Sequence, residues 1–255
     1  MVKRLSLAFA VLLGLASTMA GQTVDEIIAK NVQARGGAEK LKSVKSIKST
    51  VTMAMGSGME APATLIQKRP AFARLEYTTQ GLTAVQGYDG KSAWQIMPFM
   101  GKKDPELMSA DEAKEMEETA DMDGPLVDYK SKGHQVELLG KEKVEGTDAY
   151  KLKATLKNGD VQTIYIDADS FLEIKEEIKR MVRGTEQVVE TSIGDYKEVQ
   201  GVVFPFAVEN GIKGSAEKRK LTITKVELNV PADDSIFTMP PLAPPAPAKP
   251  EEPKK

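Results

Sequence analysis

The one histidine of the chain, His134, stands in Lys132-Gly133-His134-Gln135 at the start of a strand pattern. General acid–base chemistry there would need a partner within hydrogen-bond reach. No partner stands at a suitable spacing, so a solvated loop histidine is the plainer reading. Asp167-Ala168-Asp169 opens like a calcium loop. Its sixth position is Leu172 where glycine is required, and its twelfth is Ile178 where a bidentate glutamate is required, so it reads as a turn. Ser215-Ala216-Glu217-Lys218 has the spacing of a serine–lysine nucleophile pair but lies in a glycine-flanked loop with no Lys-Thr-Gly to accompany it. G-x-S-x-G, a phosphate loop and a dinucleotide fingerprint are absent from the sequence. The chain has no cysteine, which excludes disulfides, thiolate metal sites, iron–sulfur clusters and thiol catalysis. The expectation is a protein without catalysis, cofactor or metal. A hydrolase using carboxylates that no motif picks out is the weakest reading.

What remains is apolar. Eight methionines lie between positions 53 and 122: Met53, Met55, Met59, Met97, Met100, Met108, Met116 and Met122. Methionine is unbranched and polarizable and suits a surface that must adapt to its occupant. Ordinary core filling explains any one of them as well. The only tryptophan, Trp94, reads first as core. The composition, 41% apolar and 28% charged with a net charge of −2, is that of a globular protein. With aromatics at 5% and no basic excess, no nucleic-acid partner is expected.

The elements that must position these residues begin after residue 20. Lys3-Arg4, an apolar run from Leu5 to Ala16, and Thr18 and Ala20 at −3 and −1 form a secretory signal-peptide pattern, with cleavage expected after Ala20. The apolar run is short for a membrane span. An exported chain without cysteine suits a bacterial periplasm. At the other end, residues 240–255 are dominated by Pro240, Pro241, Pro244, Pro245, Pro247, Pro250 and Pro253 and read as a solvated, polyproline-like tail. Residues 21–239 are expected to form one domain.

Within that domain, Thr23-Val24-Asp25-Glu26 is a capping box that predicts a helix over about 24–35, closed by Gly36-Gly37. Ser109-Ala110-Asp111-Glu112 is a second, predicting a helix over about 110–120. That helix belongs to a segment, 101–123, with nine acids against three lysines, which is expected to interrupt the sheet. A solvated helix face explains this acidity, and a docking surface for a basic partner or a shield against anionic headgroups is the sharper alternative. Elsewhere the period is two. Segments starting at Ile47, Ala61, Ala71, Leu82, Lys91, Tyr150, Val161, Leu172, Val188, Val202 and Leu221 predict ten or eleven strands of a meandering antiparallel sheet. Asp89-Gly90 and Asn158-Gly159 mark two of its hairpins. Strands after 145 are apolar on one face and charged on the other. Those before 100 are apolar or uncharged on both and call for cover on both sides.

Two motifs in that first half carry a resemblance. Lys68-Arg69-Pro70-Ala71-Phe72-Ala73-Arg74 and Asp89-Gly90-Lys91-Ser92-Ala93-Trp94-Gln95-Ile96-Met97-Pro98-Phe99 are similar, in order and spacing, to motifs of the LolA-like family of periplasmic lipoprotein carriers. The resemblance is specific over about 59–100. It implies a mainly β fold, an open half-barrel of about 10–11 antiparallel strands with a few short helices on its concave face. It implies a groove that shelters the acyl chains of a lipoprotein or lipid in transfer toward the outer membrane, a chaperone role with inner- and outer-membrane transfer partners. It also implies that Arg74 hydrogen-bonds backbone groups of a lid and holds the cavity closed. The expected ligand-binding residues are Met53, Met55, Leu65, Phe72, Arg74, Trp94, Ile96 and Phe99, and the expected state is a monomer. The physical demand on such a groove is large, since exposing an acyl chain costs ~0.8 kcal/mol per CH₂. The alternative is a structural or signalling module whose groove is filled by its own side chains, with the acidic helix or the proline-rich tail engaging a partner protein.

Overall fold

The computed structural model describes residues 22–55, 58–182 and 185–242; the side chains of Met55, Met181 and Val182 lie outside this description. The expected signal peptide and all of the proline-rich tail beyond Leu242 also lie outside it.

Among the described residues there are three α-helices and thirteen strands. The chain opens with α1 (Val24–Ala34) and α2 (Ala38–Ser43). The first meander follows: β1 (Ser46–Met55), β2 (Met59–Lys68), β3 (Phe72–Thr79), β4 (Leu82–Tyr88), β5 (Ala93–Met97) and β6 (Lys102–Leu107). Next comes α3 (Ala110–Ala120). The second meander is β7 (Gln135–Val144), β8 (Thr147–Thr155), β9 (Val161–Asp167), β10 (Glu173–Val182), β11 (Thr185–Val199), β12 (Val202–Ile212) and β13 (Lys218–Leu228). The last strand pairs back onto the first, Ile47 opposite Leu228 and Met53 opposite Leu221. This zips the meanders into one antiparallel sheet of order β6-β5-β4-β3-β2-β1-β13-β12-β11-β10-β9-β8-β7.

The strand count exceeds the sequence expectation by β6 and β7. Residues 101–123 therefore do not simply interrupt the sheet: Trp94 pairs with Leu107 and Gln95 with Glu106 before α3 begins. Both missed strands are edges. β6 carries Pro105, which weakens a strand signal, and is exposed or only partly covered throughout, while β7 is exposed along most of its length, so neither has a buried face to impose an apolar alternation.

Both capping boxes form. The Thr23 and Ser109 hydroxyls accept from the backbone N–H of Glu26 and Glu112, whose carboxylates accept from the cap backbones in return. The helices share one face of the sheet, and the sheet must curl around them. Helix α3 packs on β2–β5, while its Lys114 pairs with Asp160 in the β8–β9 turn at 2.9 Å and its Glu118 pairs with Arg180 of β10. Strands β4 and β10 are seven positions apart, about 33 Å across a flat sheet. Eleven helical residues span only about 16 Å, so the face carrying the helices is the concave one. At the end of α1, Gly36 has φ +115°, and a side chain there would meet the Gly201 carbonyl at 2.3 Å; only glycine lets the helix end sit on the β11–β12 turn.

After β13 the chain crosses to the outer face. Residues 230–242 run there in a non-helical course apart from one 3₁₀ turn (Asp234–Ile236). Lys68 donates to the Ala232 carbonyl at 2.7 Å and to Asp234 at 2.6 Å. Phe237 is fully buried and stacks on Phe72, ring centroids 5.4 Å apart.

Candidate functional site

The register sorts every strand residue onto the inner or the outer face, and the inner face falls into three parts. Against β8 and β9 it is filled. Ile27 and Ile28 of α1, with Leu126 and Tyr129 from the loop after α3, pack on Tyr150, Leu152, Ala154, Ile164 and Ile166. Asn31 of α1 donates to the Phe171 carbonyl at 2.8 Å and fastens the helix over this end.

In the middle, α2 and the loop after α3 close the bottom of the half-barrel, with Leu41, Val44, Ile47, Val127 and Val202 in one cluster. The organiser is Arg69. Its Nε donates to the Val44 carbonyl at 2.8 Å and its Nη2 to the Leu41 carbonyl at 3.0 Å, taking up carbonyls at the end of α2. The same guanidinium grips Asp123 with both nitrogens at 2.6–2.7 Å. Burial pushes the Asp123 carboxyl up, but the Arg69 hydrogen bonds and charge, helped by Lys132 and Arg35, outweigh it and hold the pKa below the usual carboxylate value. One side chain thus joins β2, α2 and the exit of α3.

The third part is an open trough. Val51 and Met53 of β1, Ala61 and Ala63 of β2, Leu75 and Tyr77 of β3, and Leu221 and Ile223 of β13 form one apolar cluster, and no helix residue joins it among the described residues. Leu65 continues it, directly opposite Leu75. Leu65, Leu75, Tyr77, Leu221 and Ile223 are half-buried, covered by their neighbours in the curled sheet and otherwise open. Burial pushes the Tyr77 hydroxyl pKa up against the opposing pull of Arg219. The far wall of the concave face is polar. The pair Glu118–Arg180 fastens α3 to β10, and Glu176 lies beside it on the same face of β10. Burial, then the neighbouring Glu173, push the Glu176 carboxyl well above the ordinary glutamate range.

The eight expected ligand residues divide across the sheet. Met53 and Leu65 lie on the inner face in or beside the trough. Phe99 is at its rim, its ring 5.8 Å from that of Tyr77. The side chain of Met55 lies outside the described residues. Phe72, Arg74, Trp94 and Ile96 alternate with the α3-facing Ala73 and Ala93 and so belong to the outer face. There Trp94 is buried and donates from Nε1 to the Phe237 carbonyl at 2.7 Å. Its ring lies against Gly87, where any Cβ would come within 2.4 Å of it. Arg74 lies 5.7 Å from the centroid of that ring, pairs with Glu76 and donates to the Ile236 carbonyl at 2.6 Å. Arg74 therefore holds one backbone carbonyl of the C-terminal segment, Ile236, and Arg69 is the arginine that reaches α2 and the loop after α3.

Sequence reasoning missed Leu75, Tyr77, Leu221, Ile223 and Arg69. The alternation Ala73, Leu75, Tyr77 was available as a signal for β3; Arg69 stands in the Lys68-Arg69-Pro70 motif, but nothing local revealed its role, since its partners are 25 to 54 residues away. His134 is a structural residue: its Nδ1 accepts from the Lys157 backbone N–H at 3.0 Å, and burial, aided by Lys132, lowers its pKa. On the outer face a shallow cleft of about 450 Å³ opens beside the β7–β8 turn, floored by small residues such as Ser192, Gly194, Ala207 and Thr222. It is bordered by the Glu209–Lys220 ion pair.

A family model described only as "Uncharacterized protein" matches residues 86–243, more than half the chain. No curated protein matches the sequence. Among solved structures, a LolA superfamily protein from Nitrosomonas europaea is 16% identical, with 86% of this chain and 98% of that one covered at a TM-score of 0.59. A protein domain from Vibrio parahaemolyticus assigned to outer membrane lipoprotein sorting is 13% identical, covering 82% and 94%, at 0.57. A DUF1329 family protein from Desulfovibrio piger is 11% identical, covering 86% and 98%, at 0.59. At these identities the likeness is one of fold.

Proposed function

The chain belongs to the family whose model spans residues 86–243 and has the LolA-like half-barrel fold, and on that premise we propose that it is a non-catalytic carrier that shelters an acyl chain of a lipoprotein or lipid in the trough. The observation that carries the proposal is an apolar cluster that no helix residue joins among the described residues, with Val51, Met53, Ala61 and Ala63 buried at its floor and Leu65, Leu75, Tyr77, Leu221 and Ile223 only partly covered around them. A protein that needed only a core would have filled that space, as α1 fills the other end. The half-exposed side chains regain contacts when an acyl chain lies on them, and each buried CH₂ contributes ~0.8 kcal/mol.

Export to a periplasm, transfer toward the outer membrane and a monomeric state belong to this reading. The signal-peptide pattern of residues 1–20 supports export, and the similarity to a lipoprotein-sorting domain supports transfer toward the outer membrane. No helix among the described residues is long and apolar enough to cross a membrane.

The test is native mass spectrometry of residues 21–255 purified from a periplasm without detergent, followed by titration with a fluorescent fatty acid. Co-purifying lipid, or saturable uptake of the fatty acid weakened by Leu75→Asp with the fold retained, supports the carrier. A bare mass with no uptake overturns it and leaves a protein-interaction module on the same fold. Trp94 is not the reporter to use, because it is buried on the outer face against Phe237.

A further inference from the structure

Antiparallel connectivity sorts the hairpin turns onto two ends of the half-barrel, and the two ends differ in chemistry. One end carries the turns β1–β2, β3–β4, β5–β6, β8–β9, β10–β11 and β12–β13. There Met59 (48% exposed), Leu82 (42%), Phe99 (37%), Met100 (65%), Val161 (38%) and Ile212 (37%) stand in solvent. Four of these hairpins, β6–β5, β4–β3, β2–β1 and β13–β12, are consecutive in the sheet, so the described strand ends beside their turns form one rim. At the opposite end the turns hold Asp89-Gly90-Lys91, Glu145-Gly146, Asp167–Ser170 and Gln200-Gly201. Exposed large apolar side chains away from the rim are Leu107 on edge strand β6, Leu138 and Leu139 on edge strand β7, and Met239 and Leu242 in the C-terminal segment.

The apolar rim is also the mouth of the trough. Met53 and Ala61 are opposed two residues from the β1–β2 turn, and Phe99 touches Tyr77. The rim is basic as well. Segments 97–103 and 212–220 carry Lys102, Lys103, Lys213, Lys218, Arg219 and Lys220 against one acid, Glu217, in a chain of net charge −2; Glu60 and Asp104 flank them. Lys102, Lys213, Lys218 and Lys220 meet carboxylates on the strands at Glu106, Glu177, Glu190 and Glu209. Lys103 and Arg219 have no ion-pair partner among the described residues.

We propose that this rim docks the mouth of the trough onto the surface of an anionic lipid bilayer. The proposal rests on the trough being an acyl-chain site and adds where its cargo enters and leaves. The apolar side chains stand singly on separate tips. A protein partner would need a matched hole for each, whereas the interfacial zone of a bilayer accepts isolated Met, Leu and Phe side chains wherever they fall. Lysine and arginine beside them can lay their stems on the apolar zone and keep their charges among lipid phosphates. Such contact is shallow and reversible, as a shuttle requires.

The experiment is flotation of residues 21–255 with vesicles of phosphatidylcholine alone and of phosphatidylcholine mixed with phosphatidylglycerol, at low and high salt. The protein is expected to float with the anionic vesicles and to be released by salt. Leu82→Ser with Met100→Ser, and separately Lys103→Glu with Arg219→Glu, are expected to lower the bound fraction by about tenfold or more. Melting temperature and uptake of soluble fluorescent fatty acid should be unchanged in the first pair, whose side chains are already in solvent. No flotation with intact fatty-acid uptake overturns the docking proposal and leaves the carrier standing. Loss of both removes the carrier reading as well. Flotation unaffected by either pair places the contact elsewhere and overturns the proposal. A dimer that the apolar pair disperses, without flotation, reassigns the rim to contact between copies of the chain.

Discussion

Against β8 and β9 the inner face is filled by α1, whereas toward the β1–β2 turn the inner face of β1–β3 and β13 carries an apolar cluster that no helix residue joins among the described residues, α3 packing only on the other ends of β2 and β3 beside Gln67 and Ala73. Leu152, Ile164 and Ile166 at the filled end are fully buried, while Leu65, Leu75, Leu221 and Ile223 at the open end are half-buried. Apolar character therefore does not separate core from site in this protein; the covering element does. The filled end contributes folding free energy by itself, and under the proposed carrier function the open end keeps its partly exposed apolar surface for an occupant.

The sharpest way to break that comparison is truncation at matched positions. Leu152→Ala removes a fully buried side chain under α1 and is expected to cost about 2–5 kcal/mol. Leu75→Ala in the trough is expected to cost less than about 1.5 kcal/mol, since that surface is already partly wet. Denaturant unfolding of both variants checks the difference. Equal losses would mean that the trough is ordinary core. The order should invert for ligand: Leu75→Ala weakens fatty-acid uptake, while Leu152→Ala leaves it intact at temperatures where the protein stays folded.

A second contrast lies between two arginines five residues apart. Arg69→Ala strands the Asp123 carboxylate and the carbonyls of Leu41 and Val44. Breaking a largely buried pair in this way is expected to cost about 3 kcal/mol and to loosen the loop after α3. Arg74→Ala loses a half-exposed ion pair and one bond to Ile236, an expected cost of about 1 kcal/mol. Hydrogen exchange would locate the two effects, at residues 121–130 for the first and 230–238 for the second. Protection lost at 121–130 in the Arg74 variant would restore the lid role that the family resemblance implied for Arg74.

The fold was largely legible because most of it is made of strands with one buried face and helices with reciprocal caps. Thr23–Glu26 and Ser109–Glu112 announce α1 and α3 within four residues each. The edge strands were not legible, since β6 and β7 have no second neighbour to bury a face against. The site was half legible. The uncharged character of both faces before residue 100 correctly called for cover on both sides. The sequence could not say that the cover on one side is the chain's own segment 230–242, some 140 residues downstream of Trp94, and that the open space is on the other side. Phe72, Trp94 and Ile96 are as apolar as Met53 and Leu65, and only register distinguishes them.

A third comparison sets the apolar trough against the polar wall that faces it. The Glu176 carboxyl is pushed up to about 8, first by burial and then by Glu173 and Glu118, with Arg180 opposing. Around it α3 presents Glu118, β10 presents Glu173 and Arg180, and Asp160 lies beyond Glu118 in the β8–β9 turn. A carboxyl whose folded pKa lies above its unfolded one binds more protons in the folded state. Its stabilising contribution is complete below the ordinary glutamate range and is lost as pH rises through the folded value. Stability should therefore decline between about pH 4.5 and 8 by a component that Glu176→Gln abolishes. The neutral amide should match the wild type near the acid end of that window and exceed it by about 1–2 kcal/mol at the alkaline end. Parallel stability–pH curves for the two proteins would mean that Glu176 is already solvated and ionised, and that the far wall of the trough is open to water along its length.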